Sequence, residues 1–175
     1  MEPFEILCYP DERLKRPSDP VERFDDSLHG FIARLEHTMR SAPGGVGIAA
    51  PQVGRPLRIA IVDVSSRKGV SSQGRMVLIN PEIVAWEGMV KGREGCMSVP
   101  DFTGNVMRAE RVTVVAQDER GERREYRCEG YEARAVQHEL DHLDGLLFLD
   151  RLVSRRTDLF RRKRDGRRRS ASFGR

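Results

Sequence analysis

Nine residues, Gln137-His138-Glu139-Leu140-Asp141-His142-Leu143-Asp144-Gly145, limit what this chain can become more than any other stretch. On a helix, positions four apart share a face, so His138 and His142 aim both imidazoles at one ion. Glu139 then stands beside any water on that ion, where a general base is needed. The plain alternative is a helix with two surface histidines and a solvated glutamate. Two histidines do not complete a catalytic metal site, so a third ligand is required.

Downstream, the usual third ligands are missing. One protease class takes a histidine six residues beyond the second, after a glycine; Gly145 is present, but Phe148 holds the histidine's place. Another class uses a downstream glutamate, and no glutamate follows Glu139. Asp144 and Asp150 stay open as carboxylate ligands. Upstream, Cys96 lies in Arg93-Glu94-Gly95-Cys96-Met97-Ser98-Val99-Pro100, between strands, where glycine permits a tight turn. Its thiolate suits zinc or ferrous iron. Cys8, in the N-terminal lead-in, and Cys128, among charged neighbours, read as inert small residues. Cys96 is the favoured partner of the two histidines.

The rest of the chain sets the frame. A length of 175 residues suits one domain with a real core. Three scattered cysteines are too few for a disulfide framework, which fits a reducing compartment and a cytoplasmic location. No signal-peptide core is visible, and no stretch approaches the roughly 18 apolar residues of a membrane helix, so no membrane partner is expected. Charge is uneven: residues 1–150 hold 20 Lys and Arg against 25 Asp and Glu, while residues 151–175 hold 11 against 2. Such a basic block reads as an interaction tail for a polyanion.

Residues 1–23, with four prolines, predict an extended lead-in. Leu28, Phe31, Ile32, Leu35 and Met39 predict a helix capped by Asp25 or Asp26. His29 and His37 lie off its apolar stripe and read as surface histidines. Strands are expected at Leu57–Val64, Met76–Trp86, Arg111–Gln117 and Arg123–Cys128, with a hairpin turn at Asp118–Gly121. The motif helix is expected from Glu132 to Leu143, stopped by Gly145. The class is α+β: mostly antiparallel sheets around a central His-Glu-x-x-His helix, an N-terminal helix and a basic C-terminal tail. The division is a catalytic domain at 1–152 and an extension at 153–175, helical and then disordered.

Three segments together resemble peptide deformylase: Gly45-Val-Gly-Ile-Ala-Ala-Pro-Gln52, Glu94-Gly-Cys-Met-Ser98 and Gln137-His-Glu-Leu-Asp-His142. Tyr9-Pro10-Asp11, Asn80-Pro81 and Leu147-Phe148-Leu149-Asp150-Arg151 add smaller matches, and the resemblance covers about residues 5–152. It implies metal-dependent hydrolysis of the N-formyl group from the first methionine of new polypeptides, releasing formate. Cys96, His138 and His142 would hold one divalent ion. Fe2+ is the working metal the resemblance implies, and Zn2+, Ni2+ or Co2+ suit the same donors. Glu139 would activate the attacking water and then return a proton to the leaving amine.

The Gln52 side-chain amide and the Met97 backbone N–H would stabilise the oxyanion. Gly47 and its neighbours would pair with the extended peptide as an added strand. The methionine pocket would be lined by Val46 and by Tyr131, Ala135 and His138, which share one helix face. Three departures stand out. Gly44-Gly45 adds a glycine, Met97 replaces a leucine, and Asp101-Phe102-Thr103-Gly104 lacks an arginine carried by some relatives.

The arginine runs at 161–164 and 167–169 contain no interleaved aromatic, which favours phosphate-backbone attraction over base stacking. Ribosomal RNA is the expected partner of the tail, and a solubilising end is the bland alternative. A protease or other metal-dependent amidase, and an idle RNA-binding relative, are the competing readings. The intact Glu139 weighs against the second. The oligomeric state is not readable from the sequence.

Overall fold

A computed structural model describes residues 1–162 and 172–173. The Asp25 side chain accepts from the Leu28 backbone N–H at 3.0 Å, satisfying a donor that the helix itself cannot. The helix it opens, α1 (Asp26–Ser41), buries Leu28, Ile32, Leu35 and Met39, the stripe that helical spacing predicts. Nine strands are described: β1 (Gly47–Ala49), β2 (Ile59–Val62), β3 (Met76–Glu87), β4 (Val90–Cys96), β5 (Val99–Arg108), β6 (Arg111–Gln117), β7 (Arg123–Glu129), β8 (Leu159–Arg161) and β9 (Ser172–Phe173). The second helix, α2 (Gly130–Leu143), lies between β7 and β8.

One sheet has the order β1-β2-β3-β6-β7 and the other β8-β5-β4-β9. Each strand pairing is antiparallel, so the class is the expected α+β with antiparallel sheets. Among the described residues, no helix is long and apolar enough to cross a membrane.

Strand β2 explains how the first sheet separates the helices. Its four residues are buried, and alternate side chains of a strand face opposite sides. Ile59 and Ile61 join the cluster of Ile32, Leu35 and Met39 from α1. Ala60 and Val62 join Ala133, Ala135, Val136 and Leu140 from α2. The small alanines on this second side let the α2 backbone come close to the sheet. α2 starts two residues before the expected Glu132 and runs to Leu143. Gly145, at φ 77°, takes the left-handed turn that ends it.

The β4–β5 hairpin is the main departure from the expected strands. Its first strand reads Val-Lys-Gly-Arg-Glu-Gly-Cys, and the buried residues are Glu94, Gly95 and Cys96 rather than alternating apolar ones. A buried charge hides the strand from any hydrophobic pattern. Cys96 is accordingly the last residue of β4, not part of a connection between strands.

The tail differs too. Leu159–Arg161, expected in a helical stretch, instead pair with Phe102–Gly104 of β5. Asn105 sets this up: its backbone N–H donates to the Asp158 carbonyl at 2.9 Å, and its side chain reaches the Asp158 carboxylate at 2.7 Å. The expected disorder falls on 163–171 and 174–175, outside the described residues.

Candidate active site

α2 presents His138 and His142 one turn apart, with ring centroids 5.1 Å from each other. Both are buried, and β4 ends against them. Cys96 Sγ lies 3.4 Å from His142 Nε2. One ligand atom from each of Cys96, His138 and His142 lies within 4.8 Å of the other two. One buried polar atom beside this group, Glu139 Oε2, has no hydrogen-bond partner among the described residues. Orphaned buried groups are costly unless something else satisfies them. A thiol, two imidazoles and a nearby carboxylate are donors that fit a borderline divalent ion. Asp144 and Asp150 lie elsewhere: Asp144 pairs with Arg58 at 2.9 Å, and Asp150 caps Leu147 N–H at 2.9 Å.

Glu139 sits opposite this group. Its Oε1 is 4.0 Å from Nε2 of each histidine. Burial pushes its pKa up to about 7, against the pull of His138. A carboxyl group with that value can take and return a proton at neutral pH. Burial opposes a charge on His138, but the Cys96 sulfur and the Glu94 carboxylate outweigh it and raise the pKa well above the ordinary value. His142 is driven well below by burial and by His138.

Gly47 faces the Glu139 side chain. A Cβ at this position would lie 2.9 Å from Glu139 Cδ and Cγ, closer than packing allows. Gly47→Ala should therefore displace the carboxylate and reduce turnover by about 10²-fold. The check is turnover measured beside the melting temperature. Full turnover in a folded Gly47→Ala variant would contradict this placement.

The sequence reading gave Glu94 no role. Its carboxylate is fully buried and accepts from Arg108 Nε at 2.9 Å, Arg108 Nη2 at 3.0 Å, Arg134 Nη1 at 2.8 Å and His138 Nδ1 at 2.9 Å. The last contact orients the ring, placing the proton on Nδ1 and turning Nε2 toward Cys96 and Glu139. Arg108 also reaches Asp141 at 2.6 Å, which Arg151 holds from outside at 2.7 Å. Arg134 donates to the carbonyls of Val90 and Val106. Charged groups thus fasten α2 to the second sheet, where apolar packing fastens it to the first. One signal was available: Arg134, His138 and Asp141 share a helical face. Nothing around Arg108 marked it.

Gln52 and Met97 come to the same place. Gln52 is 1% exposed; its Oε1 accepts from Ala49 N–H at 3.0 Å, which turns Nε2 toward Ser98 Oγ at 3.1 Å and Cys96 Sγ at 3.6 Å. The lead-in has a use that its composition did not suggest. Leu7 N–H donates to the Gln52 carbonyl at 2.8 Å and Tyr9 N–H to the Ser98 carbonyl at 2.7 Å. One extended segment holds both flanks of the site. Val46, Ala135 and Tyr131 fall in one apolar cluster beside it. The Arg67 guanidinium lies 4.5 Å over the Tyr131 ring. Cys128 is buried and Cys8 exposed, and His29 bonds the Glu119 carbonyl on the surface.

A buried carboxylate beside two imidazoles and a thiol, on an antiparallel α+β frame, is an arrangement suited to a metal-dependent hydrolase. The family model of polypeptide deformylase matches residues 3–158. The chain belongs to this family, enzymes named for removing formyl groups from polypeptides. It is 45% identical over 148 residues to the peptide deformylase of Wolinella succinogenes, covering 84% of this chain and 86% of that one. Against that of Thermodesulfovibrio yellowstonii it is 43% identical over 159 residues, covering 91% and 94%. The crystal structure of a peptide deformylase from Legionella pneumophila matches with a TM-score of 0.80 at 44% identity, covering 86% of each chain.

Proposed function

We propose that residues 1–152 form a catalytic unit that removes the formyl group from N-formylmethionyl nascent peptides, in the cytoplasm. One observation carries this reading: Glu139 Oε1 is 4.0 Å from Nε2 of both histidines that, with Cys96, make the metal-ligating group. Cys96, His138 and His142 would hold one divalent ion, Fe2+ by resemblance. When bound, the ion supplies Lewis acidity and makes water more acidic. Glu139 takes the proton from the attacking water and returns one to the departing amine. Attack places negative charge on the formyl oxygen. The Gln52 Nε2 amide and the Met97 N–H are the preset donors for it, each worth about 2.7–4 kcal/mol at such sites. The Gly47 backbone receives the peptide as an added strand. Val46, Tyr131 and Ala135 take the methionine side chain.

The test is formate release from formyl-Met-Ala-Ser by protein purified without oxygen and loaded with a known metal. Release of formate with the peptide bonds intact is expected. No formate overturns the reading, and cleavage between the residues would mark a peptidase instead.

The basic extension, 153–175, is read as a ribosomal RNA contact. Its excess of arginine and lysine is the support. Removal of residues 157–175 should abolish co-sedimentation with ribosomes at low salt. Undiminished, salt-insensitive binding would sink the idea.

A further inference from the structure

Strand edges crowd around the candidate site. β1 is an edge strand of the first sheet, and its Gly47 faces Glu139. In the second sheet, the edge of β4 beside Cys96 is covered by β9, with Glu94 opposite Phe173 and Gly95 opposite Ser172. β9 lies against α2 as well. It is therefore in contact with both elements that carry the ligands Cys96, His138 and His142.

An extended peptide delivering its first residue to this group has to run beside the same elements. Open strand edges hold extended peptides through backbone hydrogen bonds. A β4 edge already paired with β9 is closed to such a peptide. The composition agrees: Ser172 and Phe173, which follow the arginine runs, carry no charge that pairing with the β4 edge would have to accommodate.

The linker is long enough. β8 and β9 lie on opposite edges of a sheet ordered β8-β5-β4-β9, about 14 Å apart at ordinary strand spacing. The residues 163–171 can reach about 30 Å.

We propose that Ser172–Phe173 is a built-in competitor: the chain's own C-terminal strand occupies the β4 edge at Glu94–Gly95 and must leave before an extended peptide can pair there. The competition rests on the deformylase reading. Tethering makes even a two-residue strand effective, because a short linker holds it at about millimolar local concentration.

The test uses the metal-loaded full chain, a Ser172→Pro variant and a chain lacking 171–175. Proline removes a backbone donor and disfavours the paired strand while keeping every charge of the tail. Both variants should show a KM for formyl-Met-Ala-Ser about three- to tenfold lower, with kcat unchanged. Hydrogen exchange in residues 90–97 should be faster than in the full chain when substrate is absent. Formate release with equal KM and equal exchange in all three overturns the competition alone. No formate from any of them overturns the deformylase reading and the competition with it.

Discussion

With Glu139 replaced by glutamine, formate release should fall by about 10²- to 10⁴-fold, the usual share of a positioned acid–base group. Glutamine keeps the volume and removes the proton acceptor. The substitution leaves Cys96, His138 and His142 untouched, so metal content should stay at one ion per chain. Peptide affinity should change little, because the residues assigned to substrate, Val46, Gly47, Tyr131 and Ala135, are intact. The measurement is kcat, KM and metal stoichiometry on the same preparation. A Glu139→Gln protein that retains wild-type kcat would remove Glu139 from the chemistry. Loss of the metal would give it a role in binding the ion instead.

The second large effect concerns stability. Glu94 is 0% exposed and stands between Arg108 at 4% and Arg134 at 7%. Glu94→Ala leaves two guanidinium groups buried with part of their compensation gone. Breaking a buried pair in this way costs about 3–5 kcal/mol, a large fraction of the roughly 5–15 kcal/mol that holds a domain together. Urea unfolding of the metal-loaded protein should show the midpoint falling accordingly. Glu94→Gln keeps one acceptor oxygen and should lose less. It should still weaken metal binding by about 10- to 100-fold, because the partner that orients His138 is altered. An unchanged midpoint for Glu94→Ala would show that the arginines find other partners.

The two predictions separate two jobs of one helix. His138, Glu139 and His142 carry the proposed chemistry, while Arg134 and Asp141 on the same helix carry the charge network. Glu94 joins them, since one carboxylate both neutralises the arginines and fixes the ring of His138. Moving α2 relative to β4 would disturb the ligand group and the network together.

What the sequence determined by itself was local. Helical spacing puts His138 and His142 on one face, and the absence of any glutamate beyond Glu139 turns the search for a ligand toward Cys96. Three short motifs in order were enough to suggest the family that the comparisons then establish. The helices and the apolar strands were readable because their burial follows a period of 3.6 or 2.

The tertiary structure decided what no period encodes. The β4–β5 hairpin was hidden because the inward residues of β4 are Glu94, Gly95 and Cys96, and charge in a strand reads as surface until its partners are seen. Arg108 becomes one of those partners only when β5 folds beside β4, and Arg134 only when α2 docks across them. The lead-in looks like loose chain until Leu7 and Tyr9 are found holding Gln52 and Ser98. The C-terminal strand at Ser172–Phe173 carries no motif, and its meaning comes from the edge it covers. Hydrogen bonds and charge pairs between residues distant in sequence depend on where the chain returns, and that is set by the packing of the whole.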